Sequence, residues 1–295
     1  MRCRIRLPAS LLAWIAWRFG VTEVARSLLV SSGRFVVVFH GISGRRSSDI
    51  PSQIQPYLTA DELRLTLGWL QSRFPFLNPS EFLDSAKNGI LLTFDDGQAN
   101  NHTRALPILE EFSAPAVFFV STQHVLRPRD WLPVARSLAR SRWGKEELVP
   151  EQLAVEFFDG MSQVQLTECA RHPLITLGSH TVSHPCLTRC GRPRLGFELA
   201  ESKRVLETLT GRSIDLLAYP SGDYDREVAQ VATSFGYRAA FALDPKGLGL
   251  PAYEIPRIGL YAADCAYLSF KFSGLHRPPL RGDLAVAASR NRHEA

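Results

Sequence analysis

The chain has 295 residues, 45% of them hydrophobic and 21% charged, with a formal net charge of +5 and a pI near 9.1. That is globular composition with length for a full core, and the mild basic balance carries no Lys/Arg run interleaved with aromatics, which argues against a nucleic-acid face. The five cysteines (Cys3, Cys169, Cys186, Cys190 and Cys265) are odd in number and scattered, so no disulfide framework is expected. Reduced, buried thiols fit a cytoplasmic protein.

At the N-terminus, Arg2, Arg4 and Arg6 precede an apolar run from Leu7 to Trp17 that looks like the start of a secretory signal. Arg18 interrupts it, no small-x-small cleavage site follows, and the run is too short to span a bilayer. Leu11, Leu12, Ile15, Phe19 and Val24 are spaced for one helical face, joined by Trp14 and Trp17. The plainer reading packs this helix on the domain that follows. The alternative rests it on a membrane surface, at the inner membrane of a cytoplasmic protein. A secreted or periplasmic location ranks second.

Phe35–Phe39 is apolar and β-branched and reads as the first strand, ending at His40-Gly41. A Ser-rich loop follows, from Ser43 to Gln55. Thr59-Ala60-Asp61-Glu62 is a capping box, and Leu63, Leu67 and Leu70 continue its helix to about Arg73. Ile90–Phe94 is a second buried strand that stops abruptly at Asp95-Asp96-Gly97. A helix is expected over Thr103–Phe112 and a third strand over Ala116–Val120.

Residues 123–172 read as a helical insertion over the strand ends, with helical spacing around Trp131–Leu138 and Glu151–Phe158. Its aromatics Trp131, Trp143, Phe157 and Phe158 have the spacing of core, and stacking on sugar rings is the alternative. Leu174–Leu177 is a short strand leading to His180, and Arg194–Leu209 a helix closed by Gly211. Strand Ile214–Tyr219, helix Asp225–Phe235, and strands Tyr237–Leu243 and Ile255–Leu260 complete the series. About seven strands alternating with helices predict a parallel sheet, and chemistry gathered at strand C-terminal ends suits a TIM-like α/β barrel. The expected organisation is an N-terminal helical extension (1–33), a barrel (34–275) and a flexible tail (276–295).

Adjacent carboxylates repel, and a cation or a shared proton relieves them. Successive strand residues point to opposite sides, so Asp95 and Asp96 need not share a job. Further ligands stand four residues apart in His180-Thr181-Val182-Ser183-His184. Two imidazoles and one carboxylate give the three-ligand count of a catalytic site and suit zinc, with Co2+ or Ni2+ fitting the same donors. Satisfied turn histidines would be the plain reading of an isolated HxxxH. A four-ligand zinc site using Cys186 and Cys190 is disfavoured because structural sites pair two close cysteines with a distant second pair.

Thr93-Phe94-Asp95-Asp96-Gly97 together with His180–His184 resembles the first two signature motifs of the polysaccharide deacetylases, metal-dependent esterases that remove N- or O-acetyl groups from sugars. The resemblance covers about Arg34 to Gly274 and implies a distorted (β/α)7 barrel. It also implies that Asp96, His180 and His184 hold the metal and that Asp95 is the general base, the alternative being that Asp95 only orients a ligand. Two departures follow. Family members often place the acid histidine in a late Leu-x-His motif, absent here. His40 at the end of the first strand is preferred over His276, as in the permuted arrangement of deacetylases of exported poly-N-acetylglucosamine. The third motif, usually Arg-x-Pro-Tyr-Gly, reads Ala218-Tyr219-Pro220-Ser221-Gly222, a form resembling an exopolysaccharide-assembly subgroup. Tyr219, Pro220 and the N–H near Ser221 are the expected substrate and oxyanion contacts. Arg257 is a candidate for the missing guanidinium beside Asp95, with a surface salt bridge as the equal alternative.

The expected activity is removal of acetyl, chiefly N-acetyl, from an amino-sugar glycan or lipid-linked oligosaccharide. The rivals are hydrolysis of non-sugar amides on the same barrel and an inactive glycan-binding module.

Overall fold

The computed structural model describes residues 9–29, 33–44 and 57–275. His276 and the expected tail lie outside the described residues, as does much of the Ser-rich loop.

The strands are β1 (Arg34–Phe39), β2 (Ile42–Ser43), β3 (Leu58–Thr59), β4 (Gly89–Phe94), β5 (Ala116–Val120), β6 (Ile175–Ser179), β7 (Leu216–Ala218), β8 (Ala239–Ala242), β9 (Ile255–Pro256) and β10 (Ile258–Gly259). Eight of them form one parallel sheet in the order β10-β1-β4-β5-β6-β7-β8-β9, while β2 and β3 pair separately. The sheet's two edges are halves of one ribbon. Ile255 and Pro256 pair with β8, and Ile258 and Gly259 pair with β1. The expected single strand Ile255–Leu260 is thus broken at Arg257, and through it the sheet closes into a seven-stranded α/β barrel. The break has a physical reason: this one strand must serve two neighbours, and the proline that ends its first half has no N–H for a ladder.

Side-chain alternation sorts the strands into two cores. Val36, Leu91, Val117, Phe119, Leu216, Ala218, Ala239, Phe241 and Ile255 fill the barrel, plugged from below by Leu77, Phe82 and Leu83. The other parity, including Val37, Leu92, Phe94, Phe118, Leu217 and Ala240, meets the outer helices. Inward parity on β4 runs Leu91, Thr93 and then Asp95; on β6 it runs Thr176, Gly178 and then His180. The period of the strands therefore aims Asp95 and His180 into the barrel mouth. Gly178 is needed where it stands, because a Cβ there would lie 2.5 Å from the Phe119 ring.

The Thr59–Glu62 capping box forms as expected and starts the helix Ala60–Gln71. The expected helix over Thr103–Phe112 opens instead with a π turn, Asn101–Ala105, before regular helix Leu106–Glu111. The insertion carries helices Thr122–Leu126, Pro133–Trp143, Glu151–Phe157 and Gln163–Arg171. Trp131, Phe157 and Phe158 are core there, together with Tyr57, and Trp143 packs against them.

The N-terminal segment is two helices, Ala9–Arg18 and Val21–Leu29, broken at Gly20. They pack against the late helix Cys265–Lys271. The buried positions are Ala13, Thr22 and Ala25, while Leu12, Trp14, Phe19, Val24 and Leu28 are exposed. The large apolar residues expected to form the packing face therefore point outward, because small side chains allow the closer helix approach. Among the described residues no helix is long and apolar enough to cross a membrane. The four described cysteines are free thiols, but only Cys169 is buried, contrary to the expectation that all would be.

Candidate metal centre and active site

At the mouth, Asp96, His180 and His184 each offer one ligand atom, all within 4.8 Å of one another. Nε2 of His180 and Nε2 of His184 each lie 3.7 Å from Oδ1 of Asp96. A divalent ion bound at about 2.0–2.2 Å to each fits between such atoms. The histidine rings meet edge to face, 4.9 Å between centroids. Nδ1 of His180 donates to the Ala218 carbonyl at 2.8 Å, which fixes the tautomer and turns the Nε2 lone pair toward Asp96. Burial pushes the His180 imidazole down to about 4, with the nearby Asp95 charge opposing, so the ring is neutral and able to ligate at pH 7. The other carboxylate oxygen of Asp96 faces the Gln98 amide at 3.5 Å. The donor set is that of a divalent transition-metal site with open positions. Cys186 and Cys190 are not part of it.

Asp95 lies beside this set, with Oδ2 3.8 Å from His180 Nε2. Arg257 grips it with both terminal nitrogens, Nη1 to Oδ1 at 2.6 Å and Nη2 to Oδ2 at 2.8 Å. The guanidinium is 1% exposed, touches Thr93 Oγ1 at 3.3 Å, and lies over the Phe119 ring. Burial alone would raise the Asp95 carboxyl, but Arg257 first, then His180, overrides it and holds the group down at about 2. The surface salt bridge weighed for Arg257 is excluded by its burial.

His40 ends β1, half-buried, its ring roughly parallel to that of Tyr261 at 6.3 Å. Its carbonyl accepts from Asn101 Nδ2 at 2.8 Å. Because β10 pairs with β1, the first strand does neighbour the last, as the placing of His40 required.

The three third-motif residues sit differently. The Tyr219 side chain is fully buried with its hydroxyl on the Tyr253 carbonyl at 3.1 Å, and its N–H donates to Phe241 O at 3.0 Å. Pro220 has no N–H. Tyr219 and Pro220 thus have no free amide, and the N–H expected from the sequence to serve the oxyanion is that of Ser221. Ser221 turns with a φ of 56°.

Backbone strain collects here. Asp96, Thr181, His184 and Ser221 have positive φ, and among the described residues only Ser113 is another such non-glycine. Such conformations cost about 1–3 kcal/mol each and persist where their surroundings over-determine them. A cavity of about 460 Å3 opens beside Ser183 between the insertion and the histidine loop, lined by Gln123, Trp131, Arg136, Arg140 and Arg194.

Sequence reasoning passed over Glu198. It lies on the helix Arg192–Thr210 and is 2% exposed, on the stripe of Leu195, Leu199 and Ser202. A carboxylate at a core position of an amphipathic helix was the available signal.

A parallel α/β barrel with two histidines and one aspartate converging at its mouth, and a second aspartate beside them, defines a class of metal-site hydrolase folds. Within that class the family model for polysaccharide deacetylase matches residues 83–240, and the chain belongs to the polysaccharide deacetylase family. The chain is similar to YxkH, a polysaccharide-deacetylase homologue of Bacillus subtilis (strain 168), with 24% identity over 218 residues, 71% of this chain and 64% of that one. It is also similar to a poly-beta-1,6-N-acetyl-D-glucosamine N-deacetylase of Staphylococcus aureus (strain MRSA252), 24% identical over 225 residues, 70% of this chain and 69% of the other. The match thus spans about two thirds of these relatives' length. Among solved structures, IcaB from Ammonifex degensii shares the fold, with a TM-score of 0.59 and 22% identity over 82% of this chain and 99% of that one.

Proposed function

We propose that the chain is a metal-dependent hydrolase that removes N-acetyl groups from an amino-sugar glycan. The observation that carries this is the Asp96–His180–His184 cluster set against an ionised Asp95 that Arg257 clamps. The name of the Staphylococcus aureus relative supports an acetylated poly-N-acetylglucosamine as the substrate class, with a lipid-linked oligosaccharide as the alternative we keep. Zinc is the proposed ion, with Co2+ or Ni2+ as substitutes the same donors accept.

A cation held there supplies Lewis acidity and a nucleophile at neutral pH. Asp95, negative at pH 7, takes the proton of the attacking water, and the two-pronged grip of Arg257 fixes its plane. The Ser221 N–H faces the developing oxyanion. His40 gives a proton to the departing sugar amine. Sugar residues beyond the acetylated unit lie along the cavity beside Ser183. The exposed Leu12, Trp14, Phe19, Val24 and Leu28, with Arg18 and Arg26 nearby, rest on an anionic membrane surface where lipid-linked glycan is presented.

The test is acetate release from β-1,6-linked N-acetylglucosamine oligomers against simple non-sugar acetamides. We expect turnover of the oligomers, loss on chelation and recovery with Zn2+, Co2+ or Ni2+. Replacement Asp95→Asn or His40→Gln should lower kcat by about 10²–10⁴. The reading fails if metal-loaded protein releases no acetate from any such oligomer and Asp95→Asn behaves as wild type. Preference for non-sugar amides would favour the first rival, and absence of stoichiometric metal would favour a glycan-binding module.

A further inference from the structure

The loop that carries the two histidines contains no helix or strand, and its backbone is strained at both ends, with φ of 68° at Thr181 and 55° at His184. The His180 N–H donates to Val120 O at 2.9 Å, but none of the four amides after it, from Thr181 to His184, donates to backbone. The Thr181 N–H goes to Ser179 Oγ at 3.1 Å, and the His184 N–H to Thr181 Oγ1 at 3.1 Å. The two in between, on Val182 and Ser183, both donate to Oε2 of Glu198, at 3.0 and 2.9 Å. Its Oε1 accepts the Ser183 hydroxyl at 2.6 Å. Carbonyls of the loop are tied on the other side, Thr181 O to the Thr122 N–H at 3.1 Å and Val182 O to the Gln123 N–H at 2.9 Å.

We propose that Glu198 is the positioning residue that holds His184 in ligating geometry with His180, so that its carboxylate sets the affinity of the site for a divalent metal. A buried charge is costly unless its oxygens are filled, and here three donors from the loop fill them. The burial of this side chain and the strained shape of the loop therefore support each other. Arg194, 3.7 Å from Oε1, is 63% exposed and adds a loosely held counter-charge. Glu198 touches neither metal nor substrate; it acts through the histidine.

The inference rests on reading Asp96, His180 and His184 as ligands, and its test reads metal binding rather than acetate release. Metal-free full-length protein is titrated calorimetrically with Zn2+ and Co2+, and the visible spectrum of the Co2+ form is recorded. Glu198→Ala should weaken affinity about 10–100-fold and alter the Co2+ spectrum. Glu198→Gln keeps an oxygen for the two amides and should stay within about threefold of wild type. Glu198→Asp, whose shorter arm cannot reach both amides, should fall between. Glu254 is the control, because it is likewise buried and takes the amides of Lys246, Leu248 and Leu250 away from the histidine loop. Glu254→Gln should lower Tm and leave metal affinity alone. If Glu198→Ala fails to fold, the Asp and Gln variants decide. Equal wild-type affinity in both, or an affinity loss matched by Glu254→Gln, overturns the proposal. Wild-type protein that takes up no Co2+ overturns the metal reading beneath it, whereas bound metal with no acetate release leaves this inference standing and sinks the activity.

Discussion

The most consequential pair of side chains is Asp95 with Arg257, joined across 162 positions of sequence and both buried. Removing one member of a buried ion pair strands the other, which costs about 3–5 kcal/mol. Arg257→Ala should therefore lower the unfolding free energy of the metal-free protein by that amount in urea titration, and Asp95→Asn/Arg257→Met should recover part of it. Arg257→Lys keeps charge but not two parallel bonds, so activity should fall further than stability. The pair also sets an acid response. The Asp95 carboxyl is held at about 2 in the fold against 3.8 unfolded, so its contribution is present above about pH 4 and is lost as pH falls toward 2. His180 adds a second phase. Its imidazole sits at about 4 in the fold against 6.5 unfolded, so the unfolded chain binds more protons between those values. Metal-free protein should thus lose stability progressively from about pH 6.5 downward, measured as the urea midpoint at each pH. In Asp95→Asn the step below pH 4 should be absent.

At the level of strands and loops, alternation decides what reaches the mouth. Gly178→Ala would press a methyl against the Phe119 ring, with Leu216 O 3.1 Å away on the other side. Overpacking of this kind costs about 1–3 kcal/mol, and it should appear as a lower urea midpoint with an unchanged m-value. Strand parity and the capping box were legible in the sequence because both are local patterns. So were Asp96, His180 and His184, since each motif is contiguous and a strand end fixes where it points. The broken closing strand was not legible, because which neighbour Ile255 or Ile258 pairs with depends on barrel closure. The surroundings of Tyr219 were hidden for a related reason: its N–H is taken by Phe241 of the next strand, a partner that only the register reveals. The outward-facing Leu12, Trp14 and Phe19 followed the right period, but period cannot say which side of a helix meets the protein.

Taken as one molecule, the barrel gathers its ligands from β4 and β6, so a bound ion ties together parts of the chain that separate on unfolding. Ligand binding to the folded state alone adds about 2.7 kcal/mol at a hundredfold excess over Kd. Chelation should lower Tm correspondingly, and the loss should vanish in His184→Ala. The N-terminal helix pair makes a separable prediction. Replacing Trp14 and Phe19 with Ser should abolish co-sedimentation with vesicles containing anionic phosphatidylglycerol, while acetate release from short soluble oligomers stays unchanged. Retained co-sedimentation would remove the membrane from the proposal.

The seam at Arg257 has a consequence for how the protein is made and lost. During synthesis the acid of β4 leaves the ribosome long before its guanidinium partner, and both open edges of the sheet wait for that same ribbon. A nick upstream of it would unzip the circle and orphan the carboxylate in one stroke. Proteolytic trimming from that side should yield an inert fragment with bare strand edges, never a partly working enzyme.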